Sequence, residues 1–129
     1  RWAAFCFCMQ KKVNAMTVKR IKPGPLMSGA VVHGNTVYLS GQTGEGPDVT
    51  TQAKECLAKV DALLAEAGTD KSKILQTLVY LKDMGNFAEM NAVWKDWVDP
   101  ANTPARATSQ AELAAPHILV EFTVIAALD

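Results

Sequence analysis

Apolar and polar positions change period several times along the chain, and each change marks an element. Residues 18–22, VKRIK, alternate as a short strand, and Pro23-Gly24-Pro25 stops it by removing backbone donors. Two apolar runs then flank His33-Gly34-Asn35, which predicts a hairpin between Gly29 and Gly41. Residues 42–48, QTGEGPD, read as loop, with Asp48 or Thr50 placed to cap a helix. In that helix Ala53, Leu57, Val60, Leu64 and Ala67 recur at spacings of four and three, and Gly68 stands where a left-handed cap belongs. A strand follows over 73–83, KILQTLVYLKD. A second helix covers 86–98, with Phe87, Met90, Trp94 and Trp97 on one face and Asn86 and Glu89 in capping-box spacing. After the turn-forming residues 99–104, two strands close the chain, ARATSQAEL at 105–113 and HILVEFTVIAAL at 117–128.

Three strands, a helix, a strand, a helix and two strands predict an α+β layer arrangement. A single six-stranded mixed sheet carries both helices on one face. The other face remains as apolar as a buried one, so self-association into a closed homo-oligomer is expected to cover it. The last strand adds a problem. Residues 118–126, ILVEFTVIA, read as buried on both faces, yet Glu121 sits in the middle, and an ionised carboxylate in apolar surroundings needs a partner.

Composition narrows the function classes. The chain has 129 residues, of which 49% are hydrophobic, and its 13 basic and 13 acidic residues balance, as expected of one globular domain with no field that would draw in nucleic acid or an anionic membrane. No apolar run approaches the roughly 20 residues of a spanning helix. Cys6, Cys8 and Cys56 are an odd number without zinc or disulfide-framework spacing, which points to a reducing, cytoplasmic compartment. Residues 1–15 carry only positive charge and precede Met16; they are expected to be a disordered or non-native extension, or an organellar targeting remnant, with the domain itself spanning 16–129.

Arg106 is the natural counterpart of Glu121, because its neighbours Ala105, Ala107 and Thr108 are small and give it nothing local to pair with. Two readings stay open. The pair is structural, or Arg106 is held for a substrate carboxylate, which its planar fork binds bidentately, with Glu121 beside it as general acid or base. Asn91 lies on or beside the buried stripe of the second helix, so its amide must be hydrogen-bonded, and a clamp on a neighbouring loop is one account. Residues 41–46, GQTGEG, lack a phosphate-loop pattern, His33 and His117 read as exposed loop residues with no metal-ligand spacing, and Ser28 and Ser40 have no local base. No metal or cofactor is called for.

The run TPARATSQAEL (103–113) followed by HILVEFTVIAAL (117–128) resembles the carboxyl-terminal signature of the RidA/YjgF/UK114 family, a Pro-Ala-Arg motif followed by a strand carrying Val-Glu. GNTVYLSGQTG (34–44) and the helix, strand and helix between Leu63 and Trp97 are similar to that family as well, so the resemblance covers about Val18 to Leu128. It implies a chorismate mutase-like fold assembled as a homotrimer, with sheets forming a central β-barrel, helices outside and ligand sites in clefts between subunits. It further implies hydrolysis of enamine and imine intermediates, such as 2-aminoacrylate-derived 2-iminopropanoate, to a 2-keto acid and ammonia. On these positions Arg106 would bind the substrate carboxylate and Glu121 would activate water. Ser40 and Gly41 would line the pocket, Thr108 would offer a backbone N–H, and Asn91 would brace the wall. The chain departs from the deaminase pattern at Met27, where the family's pocket tyrosine stands, which favours a different or bulkier ligand. Two alternatives accompany this expectation: a non-catalytic 2-keto acid or small-carboxylate binding regulator, and the endoribonuclease or translation-inhibitor activity known in the family, which the neutral charge disfavours.

Overall fold

The computed structural model describes residues 17–129. The expectation for residues 1–15 therefore lies outside the described residues, as does Met16. Six strands and two helices follow in the expected order: β1 (Lys19–Pro23), β2 (Ser28–His33), β3 (Thr36–Leu39), α1 (Val49–Ala67), β4 (Ile74–Leu81), α2 (Phe87–Trp97), β5 (Ala105–Gln110) and β6 (Val120–Ala127). They form one mixed sheet in the order β1-β2-β3-β6-β4-β5. Only β4 and β5 run parallel, and they are joined through α2, the crossover that parallel strands require.

Local chemistry sets the boundaries. The β2–β3 hairpin closes at His33 opposite Thr36, and Gly34, first of the two turn residues, takes φ 61, the positive value a tight hairpin demands there. Asp48 caps α1, its carboxylate accepting from the Thr51 N–H at 2.8 Å, and Gly68 ends the helix at φ 90. At α2 the expected capping box does not form. Asn86 makes no side-chain cap; its amide donates instead to the Glu89 carboxylate at 3.3 Å, because the short 3-10 turn Met84–Asn86 leads straight into the helix. The last strand is also shorter than its apolar run, since His117–Leu119 lie outside it.

β6 alternates strictly between buried and half-buried positions, so it is not buried on both faces. Val120, Phe122, Val124 and Ala126 point under the helices; the first two pack with Val49, Ala53, Cys56 and Leu57 of α1 and Met90, Val93 and Trp94 of α2, the last two with Val60, Leu63 and Leu64 of α1. Trp94 stacks on Phe122 with ring centroids 6.2 Å apart and planes at 4°. The opposite face carries the aligned Val31, Tyr38 and Ile125, with Leu78 beside Thr123. No described helix lies over it, and Tyr38 is 46% exposed.

One buried polar residue escapes any periodicity argument. Gln52, fully buried on α1, donates to the carbonyls of Gly46 and His117 at 2.9 and 2.8 Å and accepts from the Leu119 N–H at 2.8 Å. It ties the loop before α1 to the segment entering β6. Gln52→Leu is expected to lower unfolding stability by about 2–4 kcal/mol, because it orphans backbone groups in a dry site, whereas Gln52→Glu keeps only the acceptor; denaturant melts of the two variants check this. Burial also pushes the Cys56 thiol from an ordinary 9.0 up to about 12. The folded thiol then holds its proton where the unfolded one loses it, so stability declines as pH rises above about 9, and Cys56→Ala should remove that part of the slope. Alkylation of the peptide containing residue 56 at pH 8 should require unfolding.

Candidate functional site

Arg106 lies on β5, the edge strand, opposite Thr77 of β4, which in turn pairs with Val124 of β6. Residues paired across a ladder share a face, so Arg106 projects to the helix side. There α2 receives it. The Arg106 Nη1 donates to Asn91 Oδ1 at 2.8 Å, and the guanidinium carbon stands 5.3 Å from the Trp94 ring centroid and 5.7 Å from that of Phe87. Phe87, Asn91 and Trp94 fall at i, i+4 and i+7, one stripe of the helix, and together they hold the guanidinium by one hydrogen bond and two ring faces. Arg has five N–H donors in a fixed fork, so this grip leaves most of them for a ligand. Thr108 follows two residues later on the same face. Its Oγ1, like that of Thr77, is buried with no hydrogen-bond partner.

Glu121 pairs with Tyr80 of β4, which pairs with Ser109 of β5, so all three belong to the open face. Its carboxylate packs against Gly41. A Cβ placed at position 41 would stand 2.8 Å from the Glu121 carboxyl carbon, so this approach needs glycine. The turn that brings Gly41 there is pinned on both sides. Ser40 donates to the Gly29 carbonyl through its N–H at 3.0 Å and its hydroxyl at 3.1 Å, while Gln42 and Phe122 exchange backbone hydrogen bonds at 2.8 and 3.0 Å. Met27, Ser40 and Gly41 line one surface pocket of about 500 Å³.

The sequence-predicted residues thus divide into two groups. Met27, Ser40 and Gly41 line one pocket, which Glu121 meets through Gly41; Arg106, Asn91 and Thr108 gather elsewhere, on the helix side of β5. Arg106 and Glu121 are not neighbours: β4 separates their strands, and they project from opposite faces of the sheet. The structural ion pair considered from sequence does not form, because the pleat sends an odd-numbered β6 position away from the helices and an even-numbered β5 position toward them. Asn91 clamps Arg106 rather than a loop. His117 is the exposed loop residue expected, and it pairs there with Glu45 at 2.7 Å. Phe87 and Trp94, read from sequence as core, also flank the guanidinium; their four-plus-three spacing with Asn91 was the available signal.

Residues 17–128 match the family model described as endoribonuclease L-PSP. A RutC family protein of Haemophilus influenzae is 41% identical over 114 residues, covering 86% of this chain and 98% of that protein. The RutC family protein YoaB of Escherichia coli is 38% identical, covering 88% of this chain and all of its own length. Among solved structures, a member of the YjgF protein family from Neisseria meningitidis superposes with a TM-score of 0.88 at 40% identity, covering 89% of this chain and 98% of that one. A putative translation initiation inhibitor from Salmonella typhimurium follows with a TM-score of 0.79 at 34% identity, covering 87% and 98%. With a family model spanning the whole described fold and relatives matched over nearly their full length, the chain belongs to the RutC/YjgF (RidA/UK114, endoribonuclease L-PSP) family.

Proposed function

We propose that this chain is a cofactor-free hydrolytic deaminase of 2-imino acids, working at sites completed between copies of the chain in a homotrimer. The observation that carries the reading is the preparation of Arg106: one N–H anchored on Asn91, two aromatic rings around it, and the remaining fork unassigned. Such a fork recognises a planar carboxylate bidentately. Glu121, pressed on Gly41 beside the Met27 and Ser40 pocket, is the matching acid or base.

In the reaction, water adds to the C2 carbon of the protonated imine while the C=N electron pair passes to nitrogen. Glu121 takes a proton from that water and delivers it to the nitrogen; collapse of the carbinolamine then breaks the C–N bond and forms the C2 carbonyl, Glu121 taking the hydroxyl proton and passing it to the departing ammonia, which leaves as ammonium. For protonated 2-iminopropanoate the products are pyruvate and ammonium, and atoms and charge balance with water as the sole co-reactant. Because the iminium is already electrophilic, holding its carboxylate and placing one water supplies most of what the step needs. Arg106 and Glu121 project from opposite faces, so one small substrate meets both only where the helix-side edge of one copy meets the open face of another. The uncovered apolar face fits such packing. The endoribonuclease description attached to the family is disfavoured by the chain's charge, 13 basic residues against 13 acidic ones, which supplies no net attraction to a phosphate backbone.

Ammonia release from 2-iminopropanoate generated in situ tests the reading. Arg106→Ala is expected to lower kcat/KM by about 10²-fold, as for a lost charge-assisted carboxylate contact. Glu121→Gln should lower kcat by roughly 10²–10⁴-fold with little change in melting temperature. Gly41→Ala should depress kcat by displacing Glu121 while leaving the carboxylate site intact. Co-refolding Arg106→Ala with Glu121→Gln copies should restore part of the activity, because a mixed oligomer contains sites with both groups; no recovery, with mixed oligomers demonstrated, would exclude sites shared between copies.

A further inference from the structure

The pocket lined by Met27, Ser40 and Gly41 lies between their loops and α1 and meets Glu121 through Gly41; it is larger than a three-carbon imino acid requires. Its volume of about 500 Å³ is on the scale of sites that take ligands several times that size. Its ten lining residues include two lysines, Lys22 and Lys59, and no acid. Lys59, on α1, has its ammonium donated to the Thr43 carbonyl at 2.7 Å, which points it and leaves two further N–H donors.

Lys22 reaches this pocket by an unusual route. In β1, Ile21 is buried under the helices opposite Ala30, so plain alternation would send Lys22 to the open face. Its ammonium nonetheless lies 3.7 Å from Glu66 of α1, on the helix side. The backbone explains the reversal: Lys22 has φ 49, the one positive φ at a non-glycine position among the described residues. That conformation is disfavoured for a lysine, and it turns the side chain toward α1. The exposed pairing with Glu66 is of a kind that contributes little stability, so it does not account for the strain.

We propose that Lys22 and Lys59 receive a second anionic group on the substrate, so that the chain prefers 2-imino dicarboxylic acids over 2-iminopropanoate. The inference rests on the deaminase reading above and specifies its substrate. Arg106 of one copy takes the carboxylate beside the imine, Glu121 of another the water, and the tail carboxylate runs past Met27 and Gly41 toward the two ammonium groups. Met27 supports this placement, since an unbranched thioether lets a longer chain pass where it can adapt its rotamer.

The test compares kcat/KM for the imines of aspartate and alanine, each generated in situ by an amino-acid oxidase, on wild type and on the double variant Lys22→Met, Lys59→Met. The expected result is a dicarboxylate-to-propanoate ratio above about ten in wild type, falling about tenfold or more in the variant, as for loss of charge-assisted contacts. A ratio near one, or a ratio the variant does not move, overturns the inference and leaves the deaminase reading standing. Calorimetry with 2-oxoglutarate and pyruvate gives a readout independent of turnover. Tighter 2-oxoglutarate binding that the variant loses upholds the pocket assignment even if neither imine is hydrolysed, the outcome that sinks the deaminase reading; equal binding of the two acids overturns it.

Discussion

The pleat of β6 is the constraint on which the rest depends. Four of its residues must lie under α1 and α2 to build the core, and Phe122 is fixed there by its stack on Trp94. Period-two geometry then leaves Glu121 no choice: it faces away from the helices, whatever its own desolvation would prefer. The carboxylate is therefore placed by the packing of its neighbours. What it meets is set separately, by the turn at Ser40 to Gln42 that returns Gly41 to its side.

The same helix that seals the core prepares the cation. Trp94 presents one face to Phe122 and lies beside the Arg106 guanidinium as well, so the interior and the candidate site share a side chain. Trp97 continues this outward, its indole N–H donating to Asp61 of α1 at 2.9 Å and its ring lying under the Lys71 ammonium at 5.2 Å. The position of α2 over the sheet is thus fixed by contacts to α1, to β6 and to β5 together. Loosening any of them would move Asn91, and Asn91 sets the direction of Arg106.

Element order, the hairpin, the caps at Asp48 and Gly68 and the uncovered sheet face were legible in the sequence, because each depends on residues close together in the chain. Met27, Ser40 and Gly41, which the family resemblance assigned to the ligand pocket, line one surface pocket of the fold. The relation of Arg106 to Glu121 was not legible. Their strands are consecutive in sequence, and nothing local reveals that β4 is inserted between them or which face each side chain takes. Gln52 escaped for a similar reason. A glutamine beside an apolar stripe looks like a boundary position until the segment it ties to the loop before α1, 65 or more residues further along the chain, is brought to it. The turned Lys22 left no trace in alternation, since it breaks alternation.

That last residue sets two demands against each other. Glycine would occupy the left-handed conformation at position 22 freely, so replacing the lysine there relieves the backbone and removes the cation in one step. A collection of variants sorted by thermal tolerance alone would drift toward Gly at 22. The survivors would be sturdier proteins with one positive charge fewer at the mouth of the pocket, and sorting by resilience would have quietly rewritten what the molecule can recognise.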